Sequence, residues 1–242
     1  MRLDKFLCDA GVGSRKDIKK IIKSGAVSVL GFDFVRPETH IDPEKDEVLL
    51  NGSPVTYKKF IYLMMNKPQG YISATFDKRL PTVLDLVPEG FLHYDLFPAG
   101  RLDIDTEGLL LLTNDGQLAH NILSPKKHIP KTYFARISGK VTDEDIEKFA
   151  QGITIDGDIK TKPATLEILS SGDISEINLT ITEGKFHQVK RMFEAVGKEV
   201  IYLKRIKMNA LSLDENLHLG ELRELTDDEV KLIKEGISYE EI

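Results

Sequence analysis

The sequence predicts an α+β fold with a mixed, largely antiparallel sheet. Its apolar runs are short and divided by turns, at residues 60–65, 108–113, 132–137, 164–168, 177–181 and 200–203. Helical periodicity appears between some of them, at 117–123, 142–151 and 187–196. Strands and helices do not alternate regularly enough for a doubly wound parallel sheet, and no repeat or low-complexity tract suggests a solenoid.

The chain opens with two short helical patterns. Leu3, Phe6, Leu7 and Ala10 lie at i, i+3, i+4 and i+7, one apolar helical face, which Gly11 and Gly13 end. Ser14 can cap the free N–H groups of a second helix, with Asp17 three residues on completing a capping-box-like arrangement. Lys16, Lys19, Lys20 and Lys23 recur at helical spacing opposite Ile18, Ile21 and Ile22, so this helix is basic on one side and apolar on the other. Ser24 and Gly25 stop it. Short runs at 26–30 and 48–50, separated by Pro37, Pro43 and the Asn51-Gly52 pair, read as small strands. Residues 51–59, with Gly, Ser, Pro and two lysines, read as a linker, giving a small domain at 1–55 and a larger one at 60–242.

Composition narrows the function classes. The 242 residues are 41% hydrophobic and 30% charged, enough to build a core and against wholesale disorder. No apolar stretch approaches the ~20 residues of a membrane span, and the N-terminus has no signal-peptide core, so the expectation is a cytoplasmic protein without membrane association. The single Cys8 cannot form an intramolecular disulfide, and six scattered histidines give no zinc spacing, so no metal is expected. The net charge of −6 argues at first against a nucleic-acid partner. Its distribution reverses that. Residues 1–25 hold seven basic side chains against three acids, whereas 214–242 hold ten acids against three bases.

The densest chemical stretch runs from Gly100 to Gly116, with Asp103, Asp105 and Glu107 in a polar loop that leads into the apolar run 109–113. Such loops commonly mount catalytic groups. A phosphate cradle fits poorly, because neither a Gly-x-Gly-x-x-Gly nor a P-loop spacing is present and three carboxylates repel phosphate. Divalent-cation binding lacks an EF-hand register. An exposed acidic loop and a loop carrying a nucleophile or general base both remain open on composition alone.

The two parts each resemble a known family. RLDKFL at 2–7, Gly11, Ser14-Arg15 and the run 25–29 resemble the small RNA-binding domain named after ribosomal protein S-four; Leu30 departs from the Asn that family often places before its hairpin Gly, here Gly31. The stretch GRLDIDTEGLLLLTNDG at 100–116 resembles the signature of the RsuA class of pseudouridine synthases, and keeps every fixed position of it. NKPQGY at 66–71, PTVL at 81–84, KTY at 131–133 and EGKFHQVKRM at 183–192 follow the same family in the same order. Lys-Pro-Gln-Gly-Tyr and Lys-Thr-Tyr are closer to the branch acting on 16S rRNA than to its large-subunit relatives.

That resemblance implies an rRNA isomerase that needs no cofactor, acts as a monomer on 16S rRNA or on a ribosome-assembly intermediate, and takes part in ribosome biogenesis. It implies Asp103 as the catalytic carboxylate, Tyr133 as the ring that stacks on the target uracil, and Lys190 as the cation paired with Asp103, with the adjacent Arg191 as the alternative. Asp105 is then a loop-orienting residue, because a second carboxylate beside the first discourages ionisation. Leu203 lines the same pocket or belongs to the core. Arg2, Lys5, Arg15, Lys16, Lys19 and Lys20 in the first domain, with Arg101, Lys185 and Arg191 in the second, are the expected RNA contacts. Two other readings compete: the same chemistry on 23S rRNA, and a non-catalytic assembly factor, which has no need of Asp103, Tyr133 and Lys190 together.

Overall fold

The computed structural model describes residues 1–235, which divide into two compact units. The first comprises Met1–Ile61 with Pro88–Asp95, the second Tyr62–Val87 with Leu96 onward. Acidic residues Glu240 and Glu241 of the tail lie outside the described residues.

In the first unit, helix α1 (Leu3–Asp9) is followed by α2 (Arg15–Lys23), then by strands β1 (Val27–Val29), β2 (Val48–Leu50) and β3 (Ser53–Pro54) in one antiparallel sheet. Ser14 caps α2 by accepting from the Asp17 N–H at 3.3 Å, as its position predicts. Leu3, Phe6, Leu7, Ile18, Ile22, Val27, Val29 and Val48 form the core, so the apolar faces of both helices meet the inner face of the sheet. Residues 51–59 are not a loose linker. Asn51-Gly52 makes the β2–β3 turn, and Val55 and Tyr57 pack on the core, because a three-stranded sheet this small needs their apolar surface.

The second unit is built on a nine-stranded sheet among the described residues. In chain order its elements are β4 (Tyr62–Lys67), β5 (Phe97–Pro98), β6 (Glu107–Thr113), α3 (Gly116–Leu123), β7 (Lys131–Ser138), α4 (Asp143–Gln151), the β8–β9 hairpin (Thr154–Ile155, Ile159–Lys160), β10 (Thr165–Ser170), β11 (Ile174–Ile181), α5 (Gln188–Glu194), β12 (Glu199–Met208), β13 (Leu211–Ser212), β14 (Leu222–Glu224) and α6 (Asp227–Lys234). The spatial order is β10-β11-β7-β12-β6-β4-β14, with β5 beside β6 and β13 beside β12. Of these pairings only β12 with β6 is parallel, so the sheet is mixed and largely antiparallel and the class is α+β.

β6 is buried along its whole length, which is why it reads as an unbroken apolar run instead of an alternating one. Leu109 and Leu111 on one side of it join Met64, Met208, Leu118 and Ile122 in a core against α3, with Ile233 of α6 added. Where α4 begins, Thr142 and Asp145 close the capping box that a Thr-x-x-Asp spacing allows.

One ladder row matters for the site. Lys67 of β4 stands opposite Gly108 of β6, Gly108 opposite Arg205 of β12, and Arg205 opposite Tyr133 of β7. Gly108 makes the close parallel approach possible: its φ is +101° and a Cβ there would come within 2.3 Å of the Arg205 carbonyl oxygen.

Candidate active site

The loop 101–106 leads directly into β6 at that row, so the register of four strands decides what surrounds it. Lys67 extends beneath the loop. Its side chain is fully buried, and its ammonium donates to the carbonyls of Pro68 (3.0 Å), Asp103 (3.0 Å) and Thr106 (2.9 Å). Three donors thus meet three acceptors. Burial pushes the Lys67 ammonium down to about 8, partly opposed by the carboxylates of Asp103, Asp105 and Glu107. The residues after Lys67 hold the loop from the side: Gly70 N–H donates to the Ile104 carbonyl at 2.8 Å, and Ser73 Oγ both accepts from Leu102 N–H and donates to its carbonyl, each at 3.0 Å. The Asn66–Tyr71 stretch is therefore a cradle for the loop that carries Asp103.

Asp103 faces a cavity of about 120 Å³ lined by Arg101, Leu102, Tyr133, His187, Gln188 and Leu203, among others. A second recess of about 270 Å³ shares Arg101, Tyr133 and Gly184 with it, and adds Lys131 and Arg205. Tyr133 is only 8% exposed, so its ring is both packed and pocket-lining, and Leu203, a core residue at 5%, lines the same pocket. Arg205 donates from Nε to the Leu109 carbonyl at 2.8 Å, while one terminal nitrogen of its buried guanidinium has no hydrogen-bond partner. Burial, helped by the charge of Arg205, brings the Lys131 ammonium down to about 8.

The structure corrects the ion pair expected from the sequence. Lys190 does not reach Asp103; its ammonium sits 2.6 Å from both carboxylate oxygens of Asp105. Arg191 is bound to Asp156 and donates to the Phe186 carbonyl at 2.6 Å, so the alternative partner is committed elsewhere as well. The reason is register: α5 presents its third residue to the end of the loop that carries Asp105. Burial alone would raise the Asp105 carboxyl, but the hydrogen bond and charge of Lys190 outweigh it and hold the group below the usual carboxylate range.

The Asp103 carboxylate has the His187 ring beside it, Nε2 lying 3.6 Å from Oδ1. His187 has φ +47° at the start of α5, and its ring stacks on Phe186 with centroids 3.7 Å apart. Gln188 braces this turn by accepting from Lys185 N–H at 2.9 Å and donating to Glu183 at 2.8 Å. Lys185 itself is ion-paired to Glu183.

Sequence reasoning did not single out Lys67, Ser73, His187 or Arg205. A signal existed for Lys67, a lysine closing the apolar run IYLMMNK, where a charged side chain must find partners. Arg205 had the same signal in β12. His187 stood unassigned inside the EGKFHQVKRM stretch, and nothing local marks Ser73. Among the described residues no group of three or more His, Cys, Asp or Glu side chains converges to hold a metal ion.

Comparison with known proteins identifies the family. The profile described as RNA pseudouridylate synthase matches residues 61–195, and the S4 domain profile matches 1–29. The chain belongs to the RNA pseudouridine synthase family. It is thus an isomerase acting on RNA, with an S4 RNA-binding domain at its N-terminus. A Bacillus subtilis chain named uncharacterized RNA pseudouridine synthase YtzG is 54% identical over 97% of this chain and 99% of its own. The Salmonella typhimurium protein named ribosomal small subunit pseudouridine synthase A is 43% identical over 95% of this chain and 98% of its own. A crystal structure described as pseudouridylate synthase superposes with a TM-score of 0.68 at 40% identity, covering 96% of this chain and 99% of that one.

The synthase's expected RNA contacts divide into free and engaged cations. Arg15, Lys16, Lys19 and Lys20 are exposed on α2, and Arg101 is exposed at the pocket; none of them makes an ion pair among the described residues. Arg2 is tied to Asp4 and Lys5 to Asp9, both at 2.7 Å. No helix of the described residues is long and apolar enough to cross a membrane.

Proposed function

We propose that the protein isomerises a uridine of small-subunit (16S) rRNA, with Asp103 as the carboxylate that acts on the nucleotide. The subunit assignment draws on relatives named ribosomal small subunit pseudouridine synthase A, 41–43% identical over 95% of this chain. On this reading the protein works as a monomer in the cytoplasm, during ribosome biogenesis.

The reaction breaks the N1–C1′ bond of uridine and forms C5–C1′, while C5 gives up a proton and N1 gains one, so no atom is added or lost. The observation that carries the assignment is the setting of Asp103. Its backbone is fixed by a buried lysine, and its side chain is 30% exposed and lines the same cavity as Tyr133. A fixed carboxylate can attack the sugar or the base, the role that Asp and Glu take in other covalent mechanisms. The base must leave the RNA stack to be reached, and the Tyr133 ring gives it a surface to stack on. Lys190 acts from the other end of the loop, where its grip on Asp105 keeps that second carboxylate charged and turned to its own partner. Arg101 is the cation best placed for a neighbouring phosphate, since Lys185 and Arg191 already hold Glu183 and Asp156.

Two measurements test this. Asp103→Asn keeps the shape and removes the nucleophile; tritium release from C5 of rRNA should fall by more than about a thousandfold while RNA affinity persists. Pseudouridine mapping in cells with and without the gene should show a site lost from 16S rRNA. Near-normal turnover of the variant removes Asp103 from the chemistry, and a loss confined to 23S rRNA moves the substrate to the large subunit.

A further inference from the structure

The loop 30–47 that joins β1 to β2 carries a feature the catalytic reading does not use. Its residues Leu30, Phe32 and Phe34 are 56%, 40% and 71% exposed. Isolated exposed apolar residues are ordinary, but three within five residues form a patch. The segment is nevertheless firmly held. Asp4 N–H donates to the Pro37 carbonyl at 2.9 Å, Leu3 N–H to the Thr39 carbonyl at 2.8 Å, and Arg36 N–H to Thr39 Oγ1 at 2.8 Å. Val35 packs against the core of the unit, which leaves the neighbouring Phe34 ring in solvent.

This ring belongs to a groove of about 530 Å³ between the loop and α2. Its lining includes Phe34, Arg36, Lys19, Lys23 and Arg2, with Glu38 as the lone acid among the lining residues. The Arg36 guanidinium carbon lies 5.4 Å from the Phe34 ring centroid, a cation-π distance. Arg2 is neutralised by Asp4, but Lys19, Lys23 and Arg36 make no ion pair among the described residues.

Cations alone would suit any polyanion, including a paired stem whose bases are stacked on one another. An exposed ring beside them asks for something more, a flat apolar face that a duplex keeps hidden. An unpaired nucleotide supplies both parts, a base to stack and a phosphate to neutralise. We propose that the groove between α2 and the β1–β2 loop binds an unpaired nucleotide of the RNA, its base stacked on Phe34 beside Arg36 and its phosphate on Lys19 and Lys23. This rests on the reading of the first unit as an RNA-binding domain, and it makes that domain a reader of bulges or loops instead of stems.

The test uses the full chain and two RNA hairpins that differ only by one bulged 2-aminopurine nucleotide. The wild-type protein should bind the bulged hairpin more tightly and quench its fluorescence on binding. Phe34→Ala should weaken that complex by about 5- to 150-fold and abolish the quench, with the paired hairpin bound as before, while Phe34→Tyr keeps both signals. The exposed ring makes loss of folding no explanation, and unchanged circular dichroism would show it. If Phe34→Ala binds the bulged hairpin like wild type, or weakens both hairpins equally, the groove is not a nucleotide site and RNA binding by the domain still stands. If the wild-type protein binds neither hairpin, the RNA-binding reading falls and the groove proposal with it.

Discussion

Lys19 on α2 and Lys67 on β4 are the same side chain put to opposite uses. Lys19 is exposed with no acid bound to it, whereas Lys67 is fully buried with each of its three hydrogens on a carbonyl, two of them in the segment around Asp103. A free ammonium at the surface keeps its hydration and its charge for phosphates that arrive from outside, and salt screens it. A buried ammonium has exchanged water for fixed carbonyls, so it does its work inside the fold, and no salt reaches it. On the proposed function, cations of the first kind govern how RNA is held, and those of the second where the Asp103 carboxylate stands.

The sharpest way to break this distinction is at Lys67. Lys67→Met fills the same space and leaves the Pro68, Asp103 and Thr106 carbonyls without their donor. Turnover at saturating RNA should fall by roughly a hundredfold or more, since a displacement near 1 Å at a reacting group costs that much, with RNA affinity kept. Normal tritium release by this variant would show that the loop holds its own shape. The pH dependence follows from the same lysine. Its folded value of about 8 lies below the 10.5 of the exposed side chain, so the folded state binds fewer protons between those limits. Burying the charged lysine therefore costs stability below about pH 8, and that cost fades as pH rises toward 10.5. Turnover moves the other way, declining above about pH 8 as the neutral amine loses one of three hydrogens. Lys131 is also held near 8, so the alkaline decline should survive in Lys131→Met.

A smaller effect is expected from the exposed set. Replacing Lys16, Lys19 and Lys20 together by Gln should weaken rRNA binding and flatten the log-log salt dependence by about 0.7 to 0.9 for each phosphate that is no longer neutralised. Single-turnover rates at saturating RNA should be unchanged. An unaltered salt slope would mean that these lysines are simply solvated, and would place RNA capture on the catalytic unit.

Lys190 falls between the two kinds, and its effect should be the smallest. Its side chain is 23% exposed and that of Asp105 59%, so the pair is partly open to water and worth less than a buried one. Lys190→Met should lower turnover by less than about tenfold, and the double variant with Asp105→Asn should be no worse than Asp105→Asn alone. Additive losses would show that Lys190 has a duty apart from Asp105.

Local features were legible in the residues because their causes are local. The Ser14 cap, the basic face of α2 and the unbroken apolar run of β6 each depend on neighbours within a few positions, where spacing along the chain equals spacing in space. The resemblance of the Gly100–Gly116 stretch pointed to the family for a different reason, since a long fixed pattern carries its family with it. Residues 51–59 were misread as a linker because turn-forming composition does not reveal that Val55 and Tyr57 meet a core. The pairing of Lys190 with Asp105 joins residues 85 positions apart, and His187 comes to Asp103 across a similar gap. Such partners follow from strand register and the approach of α5, which no periodicity encodes. The sequence by itself determined the elements, the unequal charge of its two ends and the family of its central loop. Only the tertiary structure decided what surrounds the loop that carries Asp103, because the row that brings Lys67, Gly108, Arg205 and Tyr133 together exists only once four strands have paired.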